Sequence, residues 1–248
     1  MKDTFSGILP RVAALIFCLF ARTAFCQTTD STSVFIVDSL LIKENPAPDD
    51  TLMMSDIASM KVIKDKDSLQ RMGYAGYEKV TYIFTRAYRA RPDSLRNIPT
   101  TKQMAPVNGV WLLHGTPYSG RVIDYYLSGR KEEESLMVRG VPEGSMRQWY
   151  QNGRLQQERE YKAGRMEGMD REYYEDGALW KEGRFTADKA EGPWKAYFPN
   201  GRVKLINNYL HGELVDSAVK YYSTGEVSER ILINNGKPAP DPRQKKIS

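Results

Sequence analysis

The sequence is poor in cysteine and histidine, the residues that most often carry nucleophilic or metal-binding chemistry. Its 248 residues include two cysteines, Cys18 and Cys26, and two histidines, His114 and His211. Neither histidine has cysteine or carboxylate neighbours at the spacing of a metal-ligand set. The sequence also lacks a glycine-rich phosphate loop and a nucleophile elbow. We therefore predict a protein without enzymatic activity, metal or cofactor.

The first 26 residues carry the three regions of a secretory signal peptide, in order. Basic residues are followed by an apolar run at 12–21, too short to span a bilayer as a helix, and then by the small residues Ala24 and Cys26. We expect cleavage after Cys26, leaving Gln27 first and no transmembrane segment in the mature chain. The protein would then be exported, to the periplasm or outside the cell. Lipidation of Cys26, which would give an outer-membrane lipoprotein, is disfavoured because Phe25 stands where a lipobox has a small residue.

The net charge of +5 comes from the two ends of the chain and does not indicate a basic surface. Residues 109–236 contain 18 basic and 19 acidic side chains, whereas residues 237–248 contain four basic and one acidic. Proteins that bind nucleic acid concentrate positive charge on one face or stripe. We therefore predict no nucleic-acid partner. The proline-rich basic segment 237–248 is expected to be a disordered tail.

Residues 109–236 repeat with a period of 24 residues. Each repeat has an aromatic pair and, three residues after it, a glycine, which accepts the positive φ of a tight hairpin turn. A second, wider turn would join each hairpin to the next. The pattern predicts a mainly β fold, an elongated single-layer antiparallel meander of 24-residue hairpin repeats with about ten strands. The pairs and glycines are Tyr125-Tyr126 with Gly129, Trp149-Tyr150 with Gly153, Tyr173-Tyr174 with Gly177, Tyr197-Phe198 with Gly201, and Tyr221-Tyr222 with Gly225.

This pattern resembles the variant MORN repeats of bacteria, which also occur in YwqK-type antitoxin-like proteins. The resemblance covers residues 109–236, about half of the chain. It implies a sheet of stacked hairpins that serves as an interaction module. The fuller YxGxW signature of eukaryotic MORN repeats is absent, so their lipid binding is not implied.

The length of the hairpin turn decides which side chains share a face of the sheet. If Gln151-Asn152-Gly153 is a three-residue loop, Tyr150 lies opposite Arg154 and Trp149 lies opposite Leu155. A two-residue loop would exchange the faces, because side-chain direction alternates along a strand. With the three-residue loop, one face would carry the first aromatics, the column Leu155, Leu179, Val203 and Val227, and the column Tyr161, Phe185, Tyr209 and Ile233.

The second aromatics and the arginines that follow the turns form the candidate binding surface. Tyrosine and arginine are enriched at binding hot spots, and a row of tyrosines offers contact area at low entropic cost. We expect this row to contact an unidentified protein; a glycan on the aromatic face is an alternative. The candidate partner-binding residues are Tyr126, Arg130, Tyr150, Arg154, Tyr174, Phe198, Arg202 and Tyr222.

A column of glutamates with the same period suggests a carboxylate ladder. Glu134, Glu158 and Glu182 would lie two strands apart, about 9.5 Å from one another. The column continues as Ile206 and Arg230, which interrupts the acidic row. We therefore predict a solvated face in which these carboxylates have cross-strand arginine and lysine partners, and no catalytic site.

Residues 27–88 are predicted to form a small α/β segment before the repeats. They resemble the plug motif of TonB-dependent receptors, through Val37-Asp38, residues 56–65, 73–76 and 80–85. Ser39 stands where the plug has glycine, and the rest of the chain is the repeat array, so receptor function is not implied. A cap on the first repeat is the alternative reading. The expected elements are strands at 33–38, 61–64 and 79–86 and helices at 55–60 and 67–72.

The domain organisation completes the prediction. It comprises a signal peptide at 1–26, the plug-like segment at 27–88, a linker at 89–108, the repeat sheet at 109–236 opened by an edge strand at 109–114, and the tail. The function indicated is an exported, non-enzymatic scaffold for protein–protein interaction at the bacterial cell envelope. The alternatives are an antitoxin-like or immunity protein of the YwqK type, and binding of glycan or peptidoglycan.

Overall fold

The computed structural model describes residues 24–25, 32–42, 50–234 and 237–239. Most of the predicted signal peptide and the tail beyond Ala239 lie outside the described residues. The chain divides into two compact units. The first comprises the described residues up to position 96 with 126–130, and the second comprises residues 97–125 with the described residues from position 131 onwards.

The first unit contains a four-stranded mixed sheet. Strand β2 is central and pairs in parallel with β6, which pairs antiparallel with β5. Its four consecutive buried residues, 34–37, are typical of a strand covered on both faces. The strands are β1 (Ala24–Phe25), β2 (Ser33–Val37), β3 (Leu40–Ile42), β4 (Leu52–Met53), β5 (Ile57–Ile63) and β6 (Lys79–Thr85); β1 pairs with β4, and the sheet order is β3-β2-β6-β5.

Two apolar clusters pack on the two faces of this sheet. Val34, Ile36, Leu69 and Val80 form one, and Phe35 belongs to the other, with Val37, Leu52, Ile83 and Leu127. The small α/β segment is thus confirmed. The helices of this unit are α1 (Lys66–Arg71), α2 (Arg86–Ala90) and α3 (Asp93–Arg96).

The predicted helix at 55–60 is wrong. A 3-10 turn at Met54–Asp56 leads directly into β5, which starts at Ile57. The β-branched residues Ile57, Val62 and Ile63 favour a strand, and β6 supplies the partner that satisfies its backbone. Ser55, which suggested a helix cap, lies inside this single turn.

The second unit is dominated by an eleven-stranded antiparallel sheet whose strands, β10 to β20, pair in chain order. This confirms the predicted meander, and at about 4.8 Å per strand the sheet measures about 48 Å across its strands. The strands are β10 (Gly120–Tyr125), β11 (Lys131–Val138), β12 (Val141–Trp149), β13 (Leu155–Lys162), β14 (Arg165–Tyr173), β15 (Leu179–Thr186), β16 (Lys189–Tyr197), β17 (Val203–Leu210), β18 (Glu213–Tyr221), β19 (Val227–Asn234) and β20 (Lys237–Ala239). Strand β20 takes up the first three residues of the predicted tail.

The hairpin turns have three residues, as the first of the two alternatives supposed. The Tyr150 N–H donates to the Arg154 carbonyl at 2.8 Å, and the Gly153 N–H donates to the Tyr150 carbonyl at 2.8 Å. Trp149 lies opposite Leu155. Gly153 has φ of 84°, in the left-handed region that favours glycine.

A β-bulge after each turn makes part of the face assignment wrong. Gln148 lies opposite Gln157 while Trp149 lies opposite Leu155, so β13 has one extra residue. Because side-chain direction alternates, this extra residue moves Tyr161 to the face opposite Trp149. The column of Tyr161, Phe185, Tyr209 and Ile233 therefore lies on the face of Trp194, and not on the predicted face of Trp149. We call the two faces the Trp149 face and the Trp194 face.

The turns that join one hairpin to the next are tighter than predicted. Lys162 lies opposite Arg165, so Ala163-Gly164 forms a two-residue turn, and both residues have positive φ, 50° and 82°. This is the φ pattern of a type I′ turn, whose twist suits a hairpin. Alanine at a positive φ is uncommon, which is why the sequence did not suggest so short a turn here.

Residues 89–108 are not a structureless linker, and residues 109–114 do not open the large sheet. Strand β8 (Val110–Leu113) pairs with β7 (Met104–Val107) and β9 (Thr116–Pro117) in a separate three-stranded sheet. The dipeptide Asn108-Gly109 forms the turn between β7 and β8, with both φ positive. Asn-Gly is a strong hairpin signal, so the hairpin of β7 and β8 could have been predicted from the sequence.

Candidate functional site

Six of the eight candidate residues lie along one edge of the eleven-stranded sheet, the edge formed by the ends of its strands. They lie together because alternate turns of a meander fall at the same ends of the strands. We call this row the turn edge: residues 150–154, 174–178, 198–202 and 222–226. Its members among the predicted residues are Tyr150, Arg154, Tyr174, Phe198, Arg202 and Tyr222.

The tyrosine hydroxyls of the turn edge bond to the next repeat. The Tyr150 hydroxyl donates to the Tyr173 carbonyl at 2.6 Å, and the Tyr174 hydroxyl donates to the Tyr197 carbonyl at 2.8 Å. Burial, together with the carboxylates of Glu175 and Glu172, raises the pKa of Tyr150 above its usual value. The hydroxyl therefore stays a neutral donor, and these tyrosines connect neighbouring hairpins while leaving part of each ring at the surface.

Asparagine and arginine connect the same turns through their side chains. Asn152 donates to the Glu175 carbonyl at 3.0 Å, and Arg154 donates to it at 3.2 Å. The equivalent pair, Asn200 and Arg202, bonds to the Ser223 carbonyl. The predicted arginines thus bind the carbonyls of the following turn, which fixes the spacing of the turns.

The most exposed aromatic side chains at this end of the sheet are Tyr222, which belongs to the turn edge, and Trp180, which lies two residues beyond it in β15. Trp180 is 40% exposed and lies 6.2 Å from the Tyr174 ring, centroid to centroid, and Tyr222 is 57% exposed. In the next repeat, the Lys204 ammonium takes the place of Trp180 and lies 5.8 Å from the centre of the Phe198 ring. Sequence reasoning missed Trp180 because its column holds glutamate, glutamine, lysine and serine in the other repeats, so no periodicity marked it.

Tyr126 and Arg130 belong to the first unit, apart from the other six. Within that unit the Leu127 N–H donates to Asp50 at 2.7 Å, and the Leu127 side chain is buried. Arg130 pairs with Asp56 at 3.7 Å. The signal was present in the sequence: this turn reads Leu-Ser-Gly, and its sister turns begin with Gln, Glu, Pro and Ser.

The Trp149 face carries an alternating row of charges, which we call the charge row. Direct pairing runs across six consecutive strands in the order Glu134, Arg147, Glu158, Arg171, Glu182 and Lys195.

The three glutamates of the charge row are ion-paired with basic side chains, as predicted for the glutamate column. Arg147 approaches Glu158 to 2.7 Å, and Arg171 approaches Glu182 to 3.7 Å. Burial alone would raise the pKa of Glu158, but the hydrogen bond and positive charge of Arg147 outweigh it and lower that pKa. The Glu158 carboxylate is therefore an ionised structural partner of Arg147 at neutral pH.

The Trp194 face carries an aromatic cluster that serves as core. The Trp194 ring packs edge-on against Phe185 at 5.0 Å and Tyr209 at 6.3 Å, centroid to centroid. The indole N–H donates to the Arg184 carbonyl, and Trp194 is 8% exposed. A ring so covered cannot stack on a glycan.

Two hairpins of the sheet match the MORN repeat variant family. The matched residues are 142–163 and 190–211, the hairpins β12–β13 and β16–β17. Their first residues, 142 and 190, are two 24-residue periods apart, so the matches share one phase of the repeat. No curated protein matches the chain.

Two further features of the described residues concern metal binding and membranes. Among the described residues, no group of three or more His, Cys, Asp or Glu side chains could hold a metal ion. Within that same part of the chain, no helix is both long and apolar enough to cross a membrane.

Proposed function

We propose that this chain is an exported, non-enzymatic scaffold that binds another protein at the bacterial cell envelope through the turn edge. The MORN-variant hairpins support the role of interaction module, and the N-terminal charge and apolar pattern supports export. Cleavage after Cys26 would also remove β1 and its pairing with β4.

The observation that carries the proposal is the way the turn edge is held. Hydrogen bonds from Tyr150, Asn152 and Arg154 to the following repeat fix successive turns before any partner arrives. A surface ordered in advance loses less entropy on binding. Tyr222 on this fixed edge and Trp180 beside it then present exposed aromatic area, and such residues dominate binding hot spots.

The test is capture of partners from envelope fractions by matched variants. Trp180→Ala with Tyr222→Ala should lose the partner that the wild-type chain recovers, with unchanged circular dichroism. Leu210→Ala is the control, because Leu210 is 50% exposed at the end of β17 on the opposite edge. A partner retained by the aromatic variant, or lost equally by the control, would count against the turn edge.

Export is tested separately. N-terminal sequencing of the exported protein should begin at Gln27. An intact signal segment, or lipid on Cys26, would contradict the proposed processing.

A further inference from the structure

The charge row on the Trp149 face is self-complementary. It holds three acidic and three basic residues in strict alternation on β11 to β16. An alternating row with an even number of members has the opposite sign at every position when it is read backwards. Glu134 then faces Lys195, Arg147 faces Glu182, and Glu158 faces Arg171.

A row of apolar residues beside the charge row shows the same property. It runs along the turn-edge side of the Trp149 face, where Trp149 lies opposite Leu155 and Tyr173 lies opposite Leu179. Reversing the strand order places β12 over β15 and β13 over β14. Trp149 would then meet Leu179, and Leu155 would meet Tyr173, so each aromatic ring meets an aliphatic side chain.

We propose that the Trp149 face binds the same face of a second copy of this chain, about a two-fold axis that runs parallel to the strands between β13 and β14. This rotation reverses the strand order and keeps the turn edges on the same side, so both rows match at once. A two-fold axis along the row would instead set like charges against each other. A different partner with charge of one sign would be repelled by half of the row.

The exposure and size of this face suit a reversible dimer. The side chains of Arg147 and Arg171 are 52% and 37% exposed, and the apolar residues of the row are half-buried. Six strands and three inward residues per strand give a total buried area of about 1,000 Å², at the low end for specific interfaces. Packed sheets cross at about −30°, so the contacts near the axis, Glu158 with Arg171, are the closest.

The charges would set the register of the dimer, and the apolar row would supply most of its affinity. This surface is distinct from the turn edge, so the dimer goes beyond the proposed function. Loss of dimerisation and loss of the envelope partner are therefore separable results.

The experiment exchanges charges at the axis of the full-length chain and measures self-association by sedimentation over a range of concentrations. Arg171→Glu sets glutamate against Glu158 of the other copy at two symmetric positions, and Glu158→Arg sets arginine against Arg171. Each variant alone should dimerise roughly tenfold or more weakly than the wild type. An equimolar mixture of the two should form the heterodimer, because both contacts become attractive again.

Lys220→Glu is the matched control, since Lys220 is also an ion-paired base, with Glu229, but lies on the Trp194 face. It should leave the dimer unchanged. If either axis variant fails to fold by circular dichroism, Lys195→Glu mixed with Glu134→Lys repeats the exchange at the end of the row. A monomeric wild type, or mixed variants that associate no better than each alone, would overturn the proposal.

Discussion

Gly183 lies beneath the indole ring of Trp194 on the Trp194 face. A Cβ at this position would lie 2.0 Å from the nearest ring atom of Trp194, and the glycine has no positive φ to explain its presence. Packing, and not backbone conformation, therefore requires the glycine. Such a close approach lets the ring cover the strand and fill a core that a single sheet otherwise lacks.

We expect Gly183→Ala to lower the free energy of unfolding by about 1–3 kcal/mol, the usual result of overpacking. Urea denaturation would measure it. In a chain that already carries Trp194→Ala, the same substitution should cost much less, because the clashing ring is gone. Equal costs in the two backgrounds would show that Trp194 is not the reason for the glycine.

The Tyr197 hydroxyl gives a second residue-scale prediction, on pH. It donates to Glu182 at 2.7 Å, and burial, then this hydrogen bond and the carboxylate charge, raise the pKa of Tyr197 to about 12. An unfolded tyrosine has a pKa of about 10, so the unfolded chain loses this proton first. The stabilisation by this group is complete below pH ~10 and is lost as the pH rises towards ~12.

Unfolding in urea at intervals across that pH range should therefore show a smaller loss of stability in Tyr197→Phe than in the wild type. Tyr222→Phe, at an exposed ring, should follow the wild type. An identical loss in all three chains would contradict the assignment.

At the scale of elements, each hairpin of the repeat sheet is held to the next by side chains at its turn. Tyrosine provides one hydrogen bond to the following repeat, and the Asn-Arg pair provides others. These bonds lie at the ends of strands, where the backbone ladder stops. The turn edge therefore depends on side chains for order that the strands obtain from their backbone.

The double variant Tyr150→Phe with Tyr174→Phe should lose about 0.5–1.5 kcal/mol for each missing hydrogen bond. The reciprocal variant should gain a similar amount: Phe198→Tyr would place a hydroxyl near the Tyr221 carbonyl, the equivalent acceptor. Thermal unfolding measures both. If the double variant lost stability but Phe198→Tyr gained none, the ring at position 198 would be oriented differently from those of Tyr150 and Tyr174.

The hairpins and their three-residue turns could be predicted from the sequence, because glycine and aromatic columns report local backbone geometry. The bulge at Gln156 could not be predicted, because the residue type at this position differs from repeat to repeat. The residues that follow the bulge in each strand were therefore assigned to the wrong face of the sheet. Trp180 was missed for the same reason. The placement of Tyr126 depends on Leu127, which enters the core of the first unit. Sequence periodicity does not predict such a long-range contact, although an apolar leucine in a turn is unusual and indicated a difference at this repeat.

At the scale of the whole molecule, the repeat sheet and the first unit differ in how far apart in the sequence their contacting residues lie. In the sheet each hairpin pairs only with its neighbours, so stability is close to a sum of repeat and interface terms. In the first unit, residues far apart in the sequence form one core, as in the parallel pairing of β2 with β6. The sheet should therefore tolerate the removal of a complete repeat.

Deletion of residues 155–178, one period that contains β13 and β14, should leave a cooperative fold of lower stability, because Arg154 would continue into Leu179 with every face preserved. Deletion of residues 155–177 should unfold the sheet beyond the junction, since an odd register reverses all later side chains. Circular dichroism and urea titration would compare them. Equal stability of the two deletions would contradict a fixed register.

The three-residue and two-residue turns alternate on opposite edges, so the sheet can lengthen only by whole repeats. Each repeat adds two strands, or about 9.6 Å, and where the charge row continues it adds one acid and one base. Equivalent positions on such a sheet are therefore separated by whole multiples of the width of one repeat. Two ligands held at Tyr174 and Tyr222, two repeats apart, would be kept about 19 Å from each other, and one duplicated repeat between them would reset that distance to about 29 Å without changing either binding position.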